Sequence, residues 1–368
     1  MRDVLFIEPY YGGSHRAFAD GWREHSRHRV RLLTMPARKW KWRMRGAALY
    51  VADRLPPEPP DAIVASDYLD LAALRGLRPD WTAHVPCVAY FHENQLTYPL
   101  PDEDERDYQF GFTNVTTCLA AGRALFNSRY HMESFAEAAE ALLRRMPDCV
   151  PEGIGERIRR RAEVVPVGVN LAAIDALRPE TPHRTGPIRI LWNHRWEFDK
   201  NPDEFFAVME QLDEEGLDFE LAVVGETFRT APPAFERARR RLAHRLTAFG
   251  YVESREQYLR RLLESDVVVS TAIHEFFGIA VVEAIRAGCA PLLPDRLSYP
   301  EILPSELHQA HLYRTPRELR ERLRDWARRP ERARAAAVPD AVARFGWQEV
   351  APRLDDVVEA MCGAGPGA

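Results

Sequence analysis

"PIRILWNHRWEFDKNPDEFF", residues 187–206, reads as three pieces in a row. Ile188–Trp192 is a short apolar run of strand length. Asn193–Lys200 carries His, Arg, Glu, Asp and Lys and has the character of a loop. Asn201 is expected to cap a helix over 202–213, with Pro202 at the first position, where the missing N–H removes no bond. A buried strand that ends in polar residues and passes into a helix is the repeating unit of an α/β fold.

The same unit recurs on both sides. "DVLFIEP", "HRVRLLTMP", "PDAIVASD", "PCVAYFHEN", "RALFNS" and "EVVPVGVN" are expected strands before it, with helices over 14–26 and 128–145 and a further helix capped by Asp67. "DFELAVVGE", "SDVVVSTA" and "CAPLLP" are expected strands after it, with helices over 233–247, 277–287 and 316–328 and a last one from near Trp347. Alternation of this kind builds parallel, doubly wound sheets. "ALRPETPHRTGP" (176–187) breaks both periodicities and reads as a linker. The expected organisation is a Rossmann-like domain over 1–175, a second over 188–345, and a C-terminal helix, 346–362, packing back on the first. The two domains are expected to face a central cleft.

Bulk composition narrows the function classes. The 368 residues carry a net charge of −5, with 46% hydrophobic and 29% charged residues. That fits a cytoplasmic protein and argues against one that coats nucleic acid nonspecifically. The five cysteines are scattered with no C-x-x-C pair, which favours free thiols over zinc or disulfide frameworks. No stretch has the roughly 20 apolar residues of a membrane helix, and no integral membrane contact is expected.

In open α/β sheets ligands sit beyond the carboxyl ends of the strands, and four constellations fall there. "PYYGGSHR" places Gly12, Gly13, Ser14 and His15 at a turn into a helix, where backbone amides attract anions; the alternative is a tight turn needing glycine for its backbone alone. Arg195 and Lys200 lie five apart before a helix and suit a diphosphate clamp; the alternative is a salt bridge, Arg195 with Glu197 or Lys200 with Asp203. In "HEFFGIAVVEAIRAG", Glu275 precedes a helix and Glu283 lies within it; a second carboxylate in so apolar a helix needs a partner. In "YFHENQLTYP", His92 follows a buried strand and is a candidate base, leaving-group stabiliser or neutral hydrogen-bond donor, against a structural His bonded to a carbonyl. Glu93, Asn94 and Gln95 continue the polar run. Asp102-Glu103-Asp104 could hold a metal under a sugar diphosphate, but its Pro-flanked charged loop reads as solvated.

"PARKWKWRMRG" (36–46) is the anomaly of an acidic chain: Arg38, Lys39, Lys41, Arg43 and Arg45 interleave with Trp40 and Trp42. Cations with stacking aromatics suit RNA. A solvated helix face with Trp turned inward is the second reading, and an anionic membrane the third.

Two α/β halves, a glycine turn after the first strand, R-x4-K after the first strand of the second half, and E-x7-E near its end resemble retaining glycosyltransferases of the GT-B fold. "IEPYYGGSHRAFADG", "MPARKWKWRMRGAALY" and "YFHENQLTYP" are similar to the tRNA-queuosine mannosyltransferase family. That resemblance implies transfer of mannose from GDP-mannose, with retention, to the queuosine base at the wobble position of aspartate tRNA. It implies no metal. Arg195 and Lys200 would hold the diphosphate. Glu283 would take the ribose and Glu275 the transferred sugar, with amides of Phe277 and Gly278 helping and Ile279 beside them. Asn193, Gly225, Tyr251 and Val252 would line the nucleotide pocket, and Gly12, Gly13 and His92 would approach from the first half. Ser14, His15, the 38–43 patch and His92–Gln95 would meet the acceptor tRNA, and Arg239, Arg240, Arg241 and Arg245 would extend its track. Galactose or glucose as the sugar, or a lipid or glycan as acceptor, stays open, as does a non-catalytic binding module.

Overall fold

A computed structural model describes residues 1–101, 106–179, 185–227 and 231–363. The Asp102–Asp104 loop and the middle of the expected linker lie outside the described residues. The chain divides into two compact units, Met1–Gly168 with the segment from Trp347 onward, and Val169–Gly346.

The first unit is built on an all-parallel sheet of β1 (Asp3–Tyr11), β2 (Arg29–Pro36), β3 (Ala62–Ser66), β4 (Cys87–Phe91), β5 (Arg123–Phe126) and β6 (Ala162–Val164), ordered β2-β1-β3-β4-β5-β6. The strands are near-continuous apolar runs because helices cover both faces. β3 and β4 are buried at every position. The helix Arg129–Leu143 shows how a stripe does the covering: Met132, Phe135, Ala136, Ala139, Leu142 and Leu143 are buried, at helical spacing.

The second unit contains β7 (Ile188–Trp192), β8 (Phe219–Val224), β9 (Leu246–Gly250), β10 (Val267–Val269), β11 (Ala290–Pro294) and β12 (Leu312–Tyr313), ordered β12-β11-β10-β7-β8-β9. Counted from β7 this is the 3-2-1-4-5-6 dinucleotide-binding order read from the other edge. Chain order reverses between β1 and β3 in the first sheet and between β7 and β10 in the second. Those two points are where ligands dock in such sheets.

Four expectations are corrected. Asp67 caps nothing: the next helix, Leu71–Leu77, is capped by Asp70, which accepts from Ala73 N, while Asp67 accepts from His92 N. The basic helix expected over 233–247 stops at Arg241 and the chain returns as the edge strand β9; the run of arginines hid a half-exposed strand with little apolar signal. Asn201 sits at the start of the helix Pro202–Glu214, but its side chain donates to Glu204 rather than to the helix amides. The change between units comes at Gly168, ahead of the expected linker, and the short helix Leu171–Asp175 belongs to the second unit, where Asp175 pairs with Arg286 at 2.8 Å.

The helix Trp347–Gly363 completes the first unit. Asp355, 1% exposed, accepts from Trp22 Nε1 (2.9 Å), Ser26 Oγ (2.6 Å) and Arg27 N (2.9 Å). Among the described residues no helix is long and apolar enough to cross a membrane. Removing the Asp355 carboxylate leaves three donors unserved, so Asp355→Ala is expected to cost about 3 kcal/mol. Urea unfolding at neutral pH reads this as a lowered midpoint; an unchanged midpoint would remove Asp355 as the anchor.

Candidate active site

In the first unit the switch point gathers side chains from the ends of three strands. Glu8, fully buried at the end of β1, accepts from Tyr10 N (2.8 Å) and Ser66 Oγ (2.9 Å). Its second oxygen lies 3.1 Å from His15 Nδ1, on the first turn of the helix Gly13–His25. Burial works against charge on His15, but the Glu8 carboxylate, aided by Asp67 and Glu93, outweighs it and raises the imidazole to about 9. His15 is therefore an imidazolium at neutral pH.

His92 sits at the end of β4 with its backbone pinned on both sides, N–H to Asp67 (2.9 Å) and carbonyl to Asn127 Nδ2 (2.9 Å). Its ring lies 4.1 Å from that of His15 and 4.7 Å from that of Tyr90. Burial and then the His15 charge push its pKa well down, so it is neutral. Its Nε2 is shut off from solvent and has no hydrogen-bond partner. Glu8, His15 and His92 offer ligand atoms within 4.8 Å of one another, a spacing that could also hold a divalent ion.

Glu93 accepts from Tyr68 OH (2.7 Å) and Gln95 Nε2 (2.8 Å). Asn94, expected at the acceptor, is a correction: it is fully buried and its Oδ1 caps the amides of Leu96 and Thr97. Gly12 is explained by packing, since a Cβ there would lie 2.4 Å from that of Ala37. Gly13 and Ser14 are exposed at the helix start.

The basic patch opens the helix Trp40–Ala52. Arg38, Lys39, Lys41, Arg45 and Trp42 are exposed, Trp42 by 59%. Trp40 packs 5.0 Å from Phe110. Arg43 is a correction: it is buried, with Nε donating to the Pro36 carbonyl (3.1 Å), rather than exposed like its neighbours. In the second unit Arg241 pairs with Glu210 and Glu214, and Arg245 with Asp213 and Asp218, which neutralises half of the proposed extension of the track.

In the second unit the loop after β7 meets the loop after β10. Lys200, 5% exposed, donates to the His274 carbonyl (2.9 Å) and Glu275 Oε2 (3.3 Å) and pairs with Asp199 (3.0 Å). The Asp199 carbonyl accepts from Ile273 N and His274 N, which ties the two loops together. Burial opposes charge on Lys200, but Glu275 and Asp199 raise its pKa. Glu275 is held at about 2, as Lys200 overcomes its burial. Burial and the Lys200 charge bring His194 and His274 down to about 4, so both are neutral.

Arg195 is exposed beside Glu197 at 3.1 Å, the salt bridge that was its alternative reading. Asn193, buried, donates to the Ala280 carbonyl and Tyr258 OH. Gly225 allows the β8 end to touch the β7 loop; a Cβ there would lie 1.9 Å from the His194 carbonyl oxygen. Glu283, 6% exposed, is paired with Arg255. Phe277 N approaches Glu275 (3.4 Å), Gly278 and Ile279 start the helix Ile279–Ala287, Tyr251 is 61% exposed and Val252 half-buried. Sequence reasoning missed Asp199, Arg255 and Tyr68. Each stands beside residues it did single out, but a lone charge or phenol has no periodic signal.

A family described as tRNA-queuosine alpha-mannosyltransferase N-terminal matches residues 3–169, and glycosyl transferases group 1 matches residues 173–337. Among solved structures, a sucrose-phosphate synthase from Thermosynechococcus elongatus overlays with TM-score 0.73 at 15% identity, over 99% of this chain and 100% of that one. Anabaena HepE in complex with UDP and glucose gives 0.67 at 12%, over 98% and 100%. These likenesses show the GT-B fold. A GDP-mannose-dependent phosphatidylinositol dimannoside mannosyltransferase of Mycobacterium tuberculosis is 25% identical over 54% of this chain and 52% of its own.

The buried His15–Glu8 pair gives a pH signature. Its contribution is full below the unfolded imidazole value of roughly 6.5 and is lost as pH rises through about 9. Urea unfolding from pH 6 to 9.5 is expected to show wild type losing up to about 3 kcal/mol relative to His15→Gln across that window; parallel curves would dissolve the ion pair. The tRNA-queuosine alpha-mannosyltransferase of Drosophila melanogaster is 39% identical over 337 residues, 89% of this chain and 87% of its own, and with both halves matched the chain belongs to the tRNA-queuosine alpha-mannosyltransferase family.

Proposed function

We propose that the chain transfers mannose from GDP-mannose to the queuosine base of tRNA, with retention at the sugar C1, at the wobble position of aspartate tRNA. What carries the reading is Lys200 and Glu275 side by side at the second switch point, in a chain that matches the mannosyltransferase over both halves.

The second unit takes the sugar nucleotide. Arg195 and Lys200 face the diphosphate, with the amides of Phe277, Gly278 and Ile279 at the helix start adding partial positive charge. As the bond from C1 to the diphosphate breaks, negative charge grows on the departing oxygen, and cations already fixed in place stabilise it without reorganisation. Glu275 accepts from hydroxyls of the transferred sugar. Glu283 accepts from the ribose, which then competes with Arg255 for the same carboxylate. Gly225, Tyr251 and Val252 border the nucleobase. The first unit takes the tRNA: Arg38, Lys39, Lys41 and Arg45 meet phosphates, exposed Trp42 stacks on an unpaired base, and His15, His92, Glu93 and Gln95 surround the modified base.

Labelled GDP-mannose, incubated with queuosine-containing tRNA, queuosine-free tRNA and a lipid extract, is expected to label only the first; label in the lipid arm alone would overturn the acceptor. Lys200→Ala is expected to lower turnover at least about 100-fold. It also strands two buried carboxylates and lowers Tm, so Lys200→Arg, which keeps the charge, is run beside it; near-normal turnover in Lys200→Ala would take Lys200 out of the site. Reversing Arg38, Lys39 and Lys41 together is expected to weaken tRNA binding and flatten its salt dependence by about three contacts' worth of slope; an unchanged slope would take the patch off the RNA.

A further inference from the structure

Burial pushes the Asp67 carboxyl well above the usual carboxylate range, outweighing the nearby His15 charge. Glu8 and Glu93 remain as the carboxylates that act on the one cation, His15. Glu8 and His15 satisfy each other at 3.1 Å. Among the described residues no Arg or Lys forms a salt bridge with Asp67 or Glu93. Asp67 is turned inward onto the His92 amide. Glu93 is different: half-buried, it has one oxygen fixed by Tyr68 OH and Gln95 Nε2, two neutral donors that aim the carboxylate and leave its charge in place.

What lies next to Glu93 is aromatic. Tyr68 stacks on Tyr10 with ring centroids 5.0 Å apart. Tyr68, Met44 and Phe110, with Tyr10 and Trp40 against them, form one small cluster separate from the main core. It runs from Glu93 to the helix that bears the exposed cations. A basic rim, an aromatic wall and an unbalanced carboxylate thus follow one another, with the unpartnered Nε2 of His92 on the residue before Glu93.

We propose that Glu93 is a specificity-determining residue of the acceptor site, receiving the positively charged secondary amine of the queuosine side chain above the Tyr10–Tyr68 wall. The inference rests on the acceptor reading given above. An alkyl secondary amine is protonated at neutral pH, and guanine at the same position carries no such cation. A carboxylate meets an ammonium through charge-assisted hydrogen bonds. Phosphate contacts at the rim serve every tRNA alike, so discrimination has to come from groups that read the base. A site built to pair a polar group rejects the analogue that lacks it, because its own group then goes unserved.

The test compares affinities for one tRNA with and without queuosine, measured for the full-length wild type, Glu93→Gln and Glu93→Asp. Wild type is expected to favour the queuosine form by about 10-fold or more. Glu93→Gln brings the ratio close to one while the queuosine-free tRNA binds within about twofold of wild type, and Glu93→Asp restores part of the ratio. Tyr68→Phe, which keeps the wall and frees the carboxylate, lowers the ratio as well and covers the case in which Glu93→Gln does not fold. A ratio that survives Glu93→Gln, or equal weakening of both tRNAs, overturns the assignment of Glu93 alone. A wild type that neither discriminates nor transfers mannose to queuosine tRNA brings down the acceptor reading, and the inference with it.

Discussion

A parallel sheet covered by helices on both faces leaves ionised side chains a single place to gather, the ends of its strands. Every other position on β3, β4 and β11 is shut away from water, and an unpaired charge there would cost several kcal/mol. Both units obey this, and in both the charges collect where chain order reverses and two crossovers diverge. The chemistry of the protein follows from that restriction. Glu8, His15, Asp67 and His92 meet because β1, β3 and β4 are neighbours in register; Lys200, Asp199 and Glu275 meet because β7 and β10 are.

The two gatherings are balanced differently. Around Lys200, two carboxylates and a carbonyl surround one ammonium, and burial together with that ammonium keeps the neighbouring imidazoles neutral. Such a cluster holds its cation charged in a water-poor setting. Around His15 the Glu8 and Glu93 carboxylates act on one imidazolium, burial pushes Asp67 up, and burial with the His15 charge keeps His92 neutral. One sheet end is arranged around an ammonium and the other around an imidazolium, and groups driven apart in pKa in this way are a common feature of functional sites.

Most of the architecture was legible in residues 187–206 and their echoes, since strand length, a polar exit and a proline-led helix are local features. The strands failed to show where burial was partial: β9 has little apolar signal and follows a run of arginines that looks helical. Capping was misread at Asp67 because a carboxylate after a strand can turn toward a helix amide or toward the neighbouring strand, and only the register of β4 decides it. Lys200, Glu275, His92 and Glu93 were visible as strand-end polar residues. Arg43 and Asn94 were visible too, but composition cannot tell a cation offered to solvent from one folded back on Pro36, nor an amide facing a ligand from one closing a turn. Asp199 and Arg255 became apparent only with three-dimensional partners.

The helix that begins at Trp347 belongs to the unit the chain started with, and Asp355 on it binds side chains and backbone near residue 26. The first unit is therefore discontinuous. During synthesis its six strands emerge early, yet its last structural piece leaves the ribosome after the whole second unit. The N-terminal half therefore cannot complete its packing until the whole of the second unit has been made.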